Sequence, residues 1–311
     1  MSIRIAAFYK FVTFSATELP RWREELLELA GSEGVKGTVL LAEEGVNGTI
    51  GGPEEGVAAV LASLRADPRL ADLEAKLSWS TRPGFHRLKV RLKPEIVTLG
   101  RPEVRPAERV GTYVAPTEWD SLIGDPGTLV IDTRNTYEVA LGSFEGAIDP
   151  GLERFADFPR WVETVLRPLV AERTPQALAL FCTGGIRCEK ATAHLIEQGF
   201  GGVHHLEGGI LRYLEQVPEP SSQWRGECFV FDQRVAVNHQ LEQGEHSLCH
   251  GCRMPLSPGD RELESYVAGV SCRHCVDGLS PERRTQLMER QRQVDLAEQR
   301  GQTHIAQVFT S

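Results

Sequence analysis

Cys182 heads the stretch whose residue types best suit chemistry. The loop Cys182-Thr183-Gly184-Gly185-Ile186-Arg187 follows the apolar run Ala177–Phe181 and precedes a helical pattern over Glu189–Gln198. Parallel sheets place their ligands at the carboxyl ends of strands. The free amides of a following helix N-terminus favour negative charge there. A thiol in that position is drawn toward its thiolate. Gly184 and Gly185 let backbone N–H groups turn inward, and Arg187 adds a fixed positive charge. Cys188 lies one residue on and suits either of two roles, resolving an oxidised sulfur or packing the helix start. The loop could carry a thiolate, a persulfide or an oxidised sulfur.

A second group of thiols has metal-ligand spacing. Cys249-x2-Cys252 and Cys272-x2-Cys275 are separated by 19 residues, the pattern of a structural zinc knuckle. Four thiolates close a tetrahedral site, so zinc there is structural. His250 and His274 lie inside the knuckles as substitute ligands that closure does not need. The seventh cysteine, Cys228, has no assignable role. Neither a Walker loop nor a dinucleotide fingerprint is present, so no bound nucleotide or flavin is implied.

The elements that must position these groups fall into segments. Residues 1–97 read β-α-β-β-α-β: a strand over Ile3–Phe14, a helix capped by Thr17 and stopping at Gly31, and a short strand pair, Gly37–Ala42 with Gly48–Ile50, turning at Asn47-Gly48. A second helix follows Pro53 with Val57, Val60, Leu61 and Leu64 on one face. The last strand, Arg87–Lys93, alternates so that Leu88, Val90 and Leu92 are buried and Arg87, Lys89, Arg91 and Lys93 line the other face. This order predicts a ferredoxin-like α+β sandwich with the basic row on its open face. Residues 98–122 read as a Pro- and Gly-rich linker, with a helix starting near Thr117. Residues 123–217 alternate strands with helices, predicting an α/β domain with a parallel sheet in which Asp132-Thr133-Arg134 ends the first strand. Residues 218–311 are loop-rich around the cysteine pairs and end in a charged helix over Pro281–Gln299, either surface-exposed or partner-seeking.

Composition bounds what such a chain does. Its 311 residues are 41% hydrophobic and 25% charged, a soluble multidomain profile. No apolar run is long enough for a membrane span. The charged N-terminus reads as a strand rather than a signal peptide, and an odd cysteine count argues against a disulfide-stapled secreted protein, so a cytoplasmic location is expected. The net charge of −9 excludes a generally basic nucleic-acid coat. That total hides a local excess. From Arg82 to Arg109 eight basic residues face three acidic ones, Glu95, Glu103 and Glu108. Four like charges on one strand face repel unless something anionic compensates them, which favours a phosphate-tracking stripe over a merely solvated edge.

Asp132-Thr133-Arg134, Ser143-Phe144-Glu145-Gly146-Ala147-Ile148, the Cys182–Arg187 loop and Leu206-Glu207-Gly208-Gly209 together resemble a rhodanese domain. With Leu41-Ala42-Glu43-Glu44-Gly45-Val46-Asn47-Gly48-Thr49-Ile50, the Cys182–Lys190 segment and the cysteine pairs, nearly the whole chain resembles the rhodanese-containing tRNA uridine hydroxylases. The resemblance implies an acylphosphatase-like N-terminal domain, a rhodanese domain and a Cys-rich C-terminal region. It implies 5-hydroxylation of the wobble uridine of tRNA with molecular oxygen as co-substrate. The family's reactive cysteine falls on Cys182, and Asp132, Arg134 and Arg187 match loop-supporting positions. The resemblance contributes the reaction; the residues alone point to sulfur chemistry, a sulfurtransferase carrying a persulfide on Cys182. A Cys phosphatase fits poorly, because such loops are one residue longer. Two hydroxylation routes stay open: addition of the Cys182 thiolate to C6, which makes C5 nucleophilic, or oxygen transfer from an oxidised Cys182. An iron triad would have to draw on His205-Leu206-Glu207 with His239 or His246, but the rhodanese turn already accounts for Glu207.

Overall fold

The computed structural model describes residues 3–80, 85–232 and 234–300. Arg82, at the start of the basic stretch, lies outside them. These residues fall into two compact units. One runs to Cys228 and includes His239–Leu241; the other holds Phe229–Asn238 and the chain from Glu242 on.

The first unit begins with β1 (Ile3–Phe11), α1 (Leu19–Ser32), β2 (Lys36–Ala42), β3 (Gly45–Gly52), α2 (Glu54–Arg65), β4 (Ala75–Ser80) and β5 (Leu88–Leu92). The strands form one sheet in the order β4-β1-β3-β2-β5. The α+β sandwich is as expected, with one strand more than the sequence pattern predicts. The fourth strand is Ala75–Ser80, and Leu88–Leu92 is added at the edge, parallel to β2. Helices cover one face, where Ala6, Phe8, Val39, Leu41, Val57, Leu61 and Val90 form the core. As an edge strand, β5 buries Val90, half-buries Leu88 and leaves Leu92 41% exposed, so the expected burial of Leu92 does not occur.

Two local expectations are corrected. Glu18, not Thr17, stands at the cap of α1, whose first turn holds Pro20. The hairpin turns at Glu43-Glu44, because Ala42 pairs with Gly45, while Asn47 and Gly48 lie inside β3. Tertiary contacts override the Asn-Gly turn signal there. The Asn47 side-chain amide donates to Ile96 O at 2.9 Å. A Cβ on Gly48 would stand 2.6 Å from the Phe8 ring, so glycine is needed for the ring to cross the strand.

The stretch read as a linker is ordered. The buried Glu95 carboxylate accepts amides of Leu99, Gly100 and Arg101 at 3.2, 2.9 and 3.3 Å. The chain then enters β6 (Thr112–Val114) and α3 (Pro116–Ile123). From there follow β7 (Thr128–Asp132), α4 (Thr136–Val139), β8 (Gly142–Phe144), α5 (Phe158–Trp161), a π-helical turn over Val162–Leu166, and α6 (Arg167–Arg173). Then come β9 (Ala177–Phe181), α7 (Ile186–Glu197), β10 (Val203–Leu206), α8 (Gly209–Gln216) and β11 (Trp224–Gly226), the last paired with β8. The parallel sheet has the order β6-β10-β9-β7. Strand β9 is buried along its whole length, as an interior strand between helical layers must be. Its last residue, Phe181, packs edge-on against Phe144 and Trp119, which fixes the strand end that carries Cys182.

In the second unit the short strands Ser247–Leu248 and Pro255–Leu256 pair around the first cysteine knuckle. The charged helix α9 (Pro281–Gln299) docks within this unit. It buries Leu287, and Arg290 donates to the carbonyls of His250 and Gly269 at 2.9 and 3.0 Å.

Candidate active site and metal centre

Cys182 is completely buried at the carboxyl end of β9. The Gly185 amide donates to its Sγ at 3.2 Å. Burial alone would raise its pKa, but the Cys188 thiol, the Arg187 charge and the amides of Cys188 and Gly185 outweigh it and bring it down to about 5. These surroundings favour the thiolate over the thiol. Cys188 is the complement: burial and the neighbouring Cys182 push its thiol well up, so it stays protonated. Its sulfur also lies 3.6 Å from the Thr133 hydroxyl.

Arg187 does not reach across the loop as a free cation. Its guanidinium binds both oxygens of the buried Glu138 carboxylate, at 2.6 and 2.7 Å, and the Thr183 hydroxyl at 3.2 Å. Thr183 in turn donates to Glu138 at 3.2 Å. Burial opposes ionisation of Glu138, yet the Arg187 charge and hydrogen bonds lower its pKa. One signal for this residue was available in the sequence, since Asn135 and Glu138 form a capping box at α4. Asp132 and Arg134 pair below the loop with no exposed side-chain surface, Nη2 to Oδ2 at 2.6 Å. The same guanidinium donates to Gly142 O at 2.6 Å, and Ser143 donates to Asp132 at 2.9 Å. The Leu206–Gly209 turn closes the loop from the other side. The Ile210 and Leu211 amides donate to the carbonyls of Cys182 and Thr183 at 2.9 and 3.1 Å. Gly209, at φ +68°, lies so close that a Cβ would stand 2.5 Å from Cys182 O.

The N-terminal sheet supplies the rest of the surroundings, which local sequence reasoning missed. The sheet face away from the helices meets α7: Phe11, Ala42 and Ile96 pack with Tyr9, Val97 and Ile186. Tyr9 donates to Glu189 Oε1 at 2.7 Å. Lys76 donates to Gly184 O at 3.4 Å and also to Gly208 O. Lys190 of α7 pairs with Glu44 and lies 3.5 Å from Glu95.

Cross-strand register puts the basic row on that same face. Lys89 faces Thr38, Thr49, Ala7 and Lys76 across the five strands, and Arg91 aligns with Leu40, Asn47 and Tyr9. Lys89 and Arg91 are exposed, as are Arg87 and Lys93 flanking the strand. At about 4.8 Å per strand, Lys89 lies about 19 Å along the sheet from Lys76.

Cys249, Cys252, Cys272 and Cys275 converge, with their sulfurs all within 4.8 Å of one another. Cys252 and Cys272 are 3.7 Å apart and Cys272 and Cys275 3.9 Å. Burial opposes ionisation of Cys249, but the Cys252 and Gly251 amides and adjoining thiols lower its pKa. A closed all-thiol set in a small loop-rich unit fits a structural zinc ion. His205 is buried, lies edge-on to Tyr113 with ring centroids 4.3 Å apart, and is held neutral by burial, its pKa down to about 4. Glu207 pairs with Arg212 at 2.8 Å. Cys228 is buried, and burial pushes its thiol up to about 12. No helix among the described residues is long and apolar enough to cross a membrane.

Residues 3–96 match the model of the UPF0176 acylphosphatase-like domain and residues 115–216 that of the rhodanese-like domain. The chain is similar to proteins named tRNA uridine(34) hydroxylase. The one from Synechococcus sp. strain CC9605 is 56% identical over 94% of this chain and 90% of its own. That from Parasynechococcus marenigrum is 57% identical, covering 94% and 92%. That from Caulobacter vibrioides is 53% identical, covering 98% and 96%. With a rhodanese loop poised as a thiolate beneath an acylphosphatase-like sheet, and identity of this order over nearly its full length, the chain belongs to the tRNA uridine(34) hydroxylase family.

Proposed function

We propose that the protein hydroxylates C5 of uridine 34 in tRNA in the cytoplasm, with Cys182 as nucleophile and molecular oxygen as co-substrate. The observation that carries this reading is the ionised Cys182, stabilised by Cys188, Arg187 and loop amides, next to a sheet face that leads to Lys89 and Arg91. A sulfurtransferase also uses such a thiolate, but the full-length relatives named for uridine hydroxylation favour the first reading.

Mechanistically, the thiolate adds to C6 of uracil and the electron pair of the C5–C6 bond moves toward O4. C5 becomes nucleophilic and accepts one oxygen atom of O2. The second leaves as water with two electrons and two protons from a reductant outside the protein. Loss of the C5 proton and cleavage of the S–C6 bond then restore the ring and the thiolate. Glu138 keeps Arg187 in place, and the Asp132–Arg134 pair supports the floor of the loop. Because Cys182 is fully buried, the base must be flipped out of its stack and must displace side chains over the loop, among them Lys76, which donates to the carbonyls of Gly184 and Gly208. Phosphates of the anticodon arm would track the row Arg87, Lys89, Arg91 and Lys93. Zinc at Cys249, Cys252, Cys272 and Cys275 would hold its knuckles folded and supply no open ligand position for chemistry.

Mass spectrometry of tRNA nucleosides from cells lacking the gene tests the reading. Loss of 5-hydroxyuridine and its derivatives is expected. Loss of thiolated uridines instead would favour persulfide transfer, and an unchanged nucleoside profile would remove both.

A further inference from the structure

Glu189 is set apart from the other carboxylates around the loop. Glu138 is paired with Arg187, Glu44 with Lys190 and Glu207 with Arg212. Among the described residues Glu189 has no cationic partner. Its carboxylate accepts a hydrogen bond from the neutral phenol of Tyr9 on β1 at 2.7 Å, and Tyr113 of β6 is near enough to influence it. Tyr9 Oη rests against the loop, 2.5 Å from where a Cβ on Gly185 would stand, and the Gly185 amide binds Cys182 Sγ. A short chain of contacts thus joins the carboxyl to the nucleophile. The charged and titratable groups facing it are Tyr9 on β1, Tyr113 on β6 and Cys182 in the loop, with Glu207 beyond Tyr113 and Lys76 on β4 beside the thiolate. Burial first, with the Cys182 charge adding and the tyrosine hydrogen bonds opposing, raises its pKa to about 7. A carboxyl held by neutral donors and poised near working pH can exchange a proton, whereas an ion-paired one is fixed as an anion.

We propose that Glu189 is the general base that removes the C5 proton in the final elimination, an inference that rests on Cys182 adding to C6. In that adduct C5 carries its hydrogen and the new hydroxyl, and C6 carries the Cys182 sulfur. Glu189 takes the C5 proton, the C5–H electron pair becomes the C5=C6 double bond, and the S–C6 pair returns to Cys182 as thiolate. Glu189 then gives the proton to water. The step needs no electrons from outside.

The full-length protein and its Glu189→Gln, Glu189→Asp and Tyr9→Phe variants, given a tRNA anticodon arm, test this. Glu189→Gln should lower turnover about 100-fold, accumulate a denaturant-stable Cys182–RNA complex on ordinary uridine, and lose the rise of kcat near pH 7. Glu189→Asp should recover part of the rate. Tyr9→Phe keeps the ring and its packing but removes a hydrogen bond that lowers the Glu189 pKa, so the rise in kcat should move to higher pH. Turnover of Glu189→Gln within about threefold of the parent, or a slower variant that keeps the pH rise and accumulates no complex, overturns the assignment to Glu189 alone. RNA carrying 5-fluorouridine checks the underlying reading separately. Capture at Cys182 should persist in the Gln variant, and no capture by an active parent removes C6 addition and the base step with it.

Discussion

Lys190, fully buried on α7, pairs with the equally buried Glu44 in the turn between β2 and β3, and its ammonium also donates to Val104 O at 3.1 Å. One side chain thereby ties together the rhodanese helix, the hairpin of the N-terminal sheet and the segment between them. Removing one member of a buried pair leaves the other as an uncompensated charge. Lys190→Met should destabilise the first unit by about 3–5 kcal/mol. The double variant Lys190→Met, Glu44→Gln should regain more than half of that stability, because a neutral amide can still accept the Ile96 amide that Glu44 binds at 2.7 Å. Urea unfolding measures both. A single variant as stable as the parent would show that apolar packing around Phe11 and Ile96 holds the domains without the pair.

The Cys188 thiol is the largest of the influences that favour the Cys182 thiolate. Cys188→Ala should therefore raise the Cys182 pKa from about 5, read as a shift to higher pH of the thiolate absorbance that Cys182→Ser abolishes. A stability effect follows with a definite sign. The folded pKa lies below the unfolded value, so the thiolate stabilises the fold fully above the unfolded value, about 8.5. That contribution fades as pH falls toward 5. The difference in urea midpoint between parent and Cys182→Ser should accordingly shrink from pH 9 to pH 5. A difference independent of pH would mean that Cys182 is a thiol in the free protein.

What can be foreseen from sequence follows the range of the contacts involved. The Cys182 loop is legible because an apolar strand, two glycines, an arginine and a helix start are consecutive. The cysteine pairs are legible because each knuckle is local. Glu189, Tyr9 and Lys76 are not, since Tyr9 and Glu189 are 180 positions apart and meet only when one sheet face packs on one helix. Strand β4 alternates Ala75, Leu77 and Trp79, but its position at a sheet edge leaves Leu77 and Trp79 about half exposed, which blunts the burial signal. The Asn47-Gly48 pair points to the wrong turn because the Phe8 ring, not turn geometry, accounts for that glycine.

The row on β5 predicts a salt-dependent interface. Lys89 and Arg91 are exposed and share the face that carries Tyr9 and Lys76 to the loop. Lys89→Glu with Arg91→Glu should weaken tRNA binding and flatten the dependence of log Kd on log salt by about 0.7–0.9 for each phosphate left without its cation. Both side chains are solvated, so the unfolding midpoint should hardly move. An unchanged salt slope would exclude β5 from the RNA interface.

The four-cysteine cluster predicts a metal effect confined to folding. Cys249 and Cys272 are buried with Leu256 in the small core of the second unit, and Tyr266 packs against them. Such a unit has little apolar surface to bury, so the ligand bonds must supply much of its stability. Freshly purified protein should carry about one equivalent of zinc, and cobalt substitution should give the spectrum of a tetrahedral all-thiolate site. Chelation, or Cys252→Ser, should expose the chain from Glu242 on to proteolysis while the Cys182 thiolate absorbance stays as in the parent, because no step of the proposed chemistry passes through the metal. Protein holding less than half an equivalent of zinc yet resisting proteolysis there would mean that the thiols pack without an ion. Disappearance of the thiolate signal on chelation would instead reveal a dependence of the loop on the metal that the closed donor set gives no reason to expect.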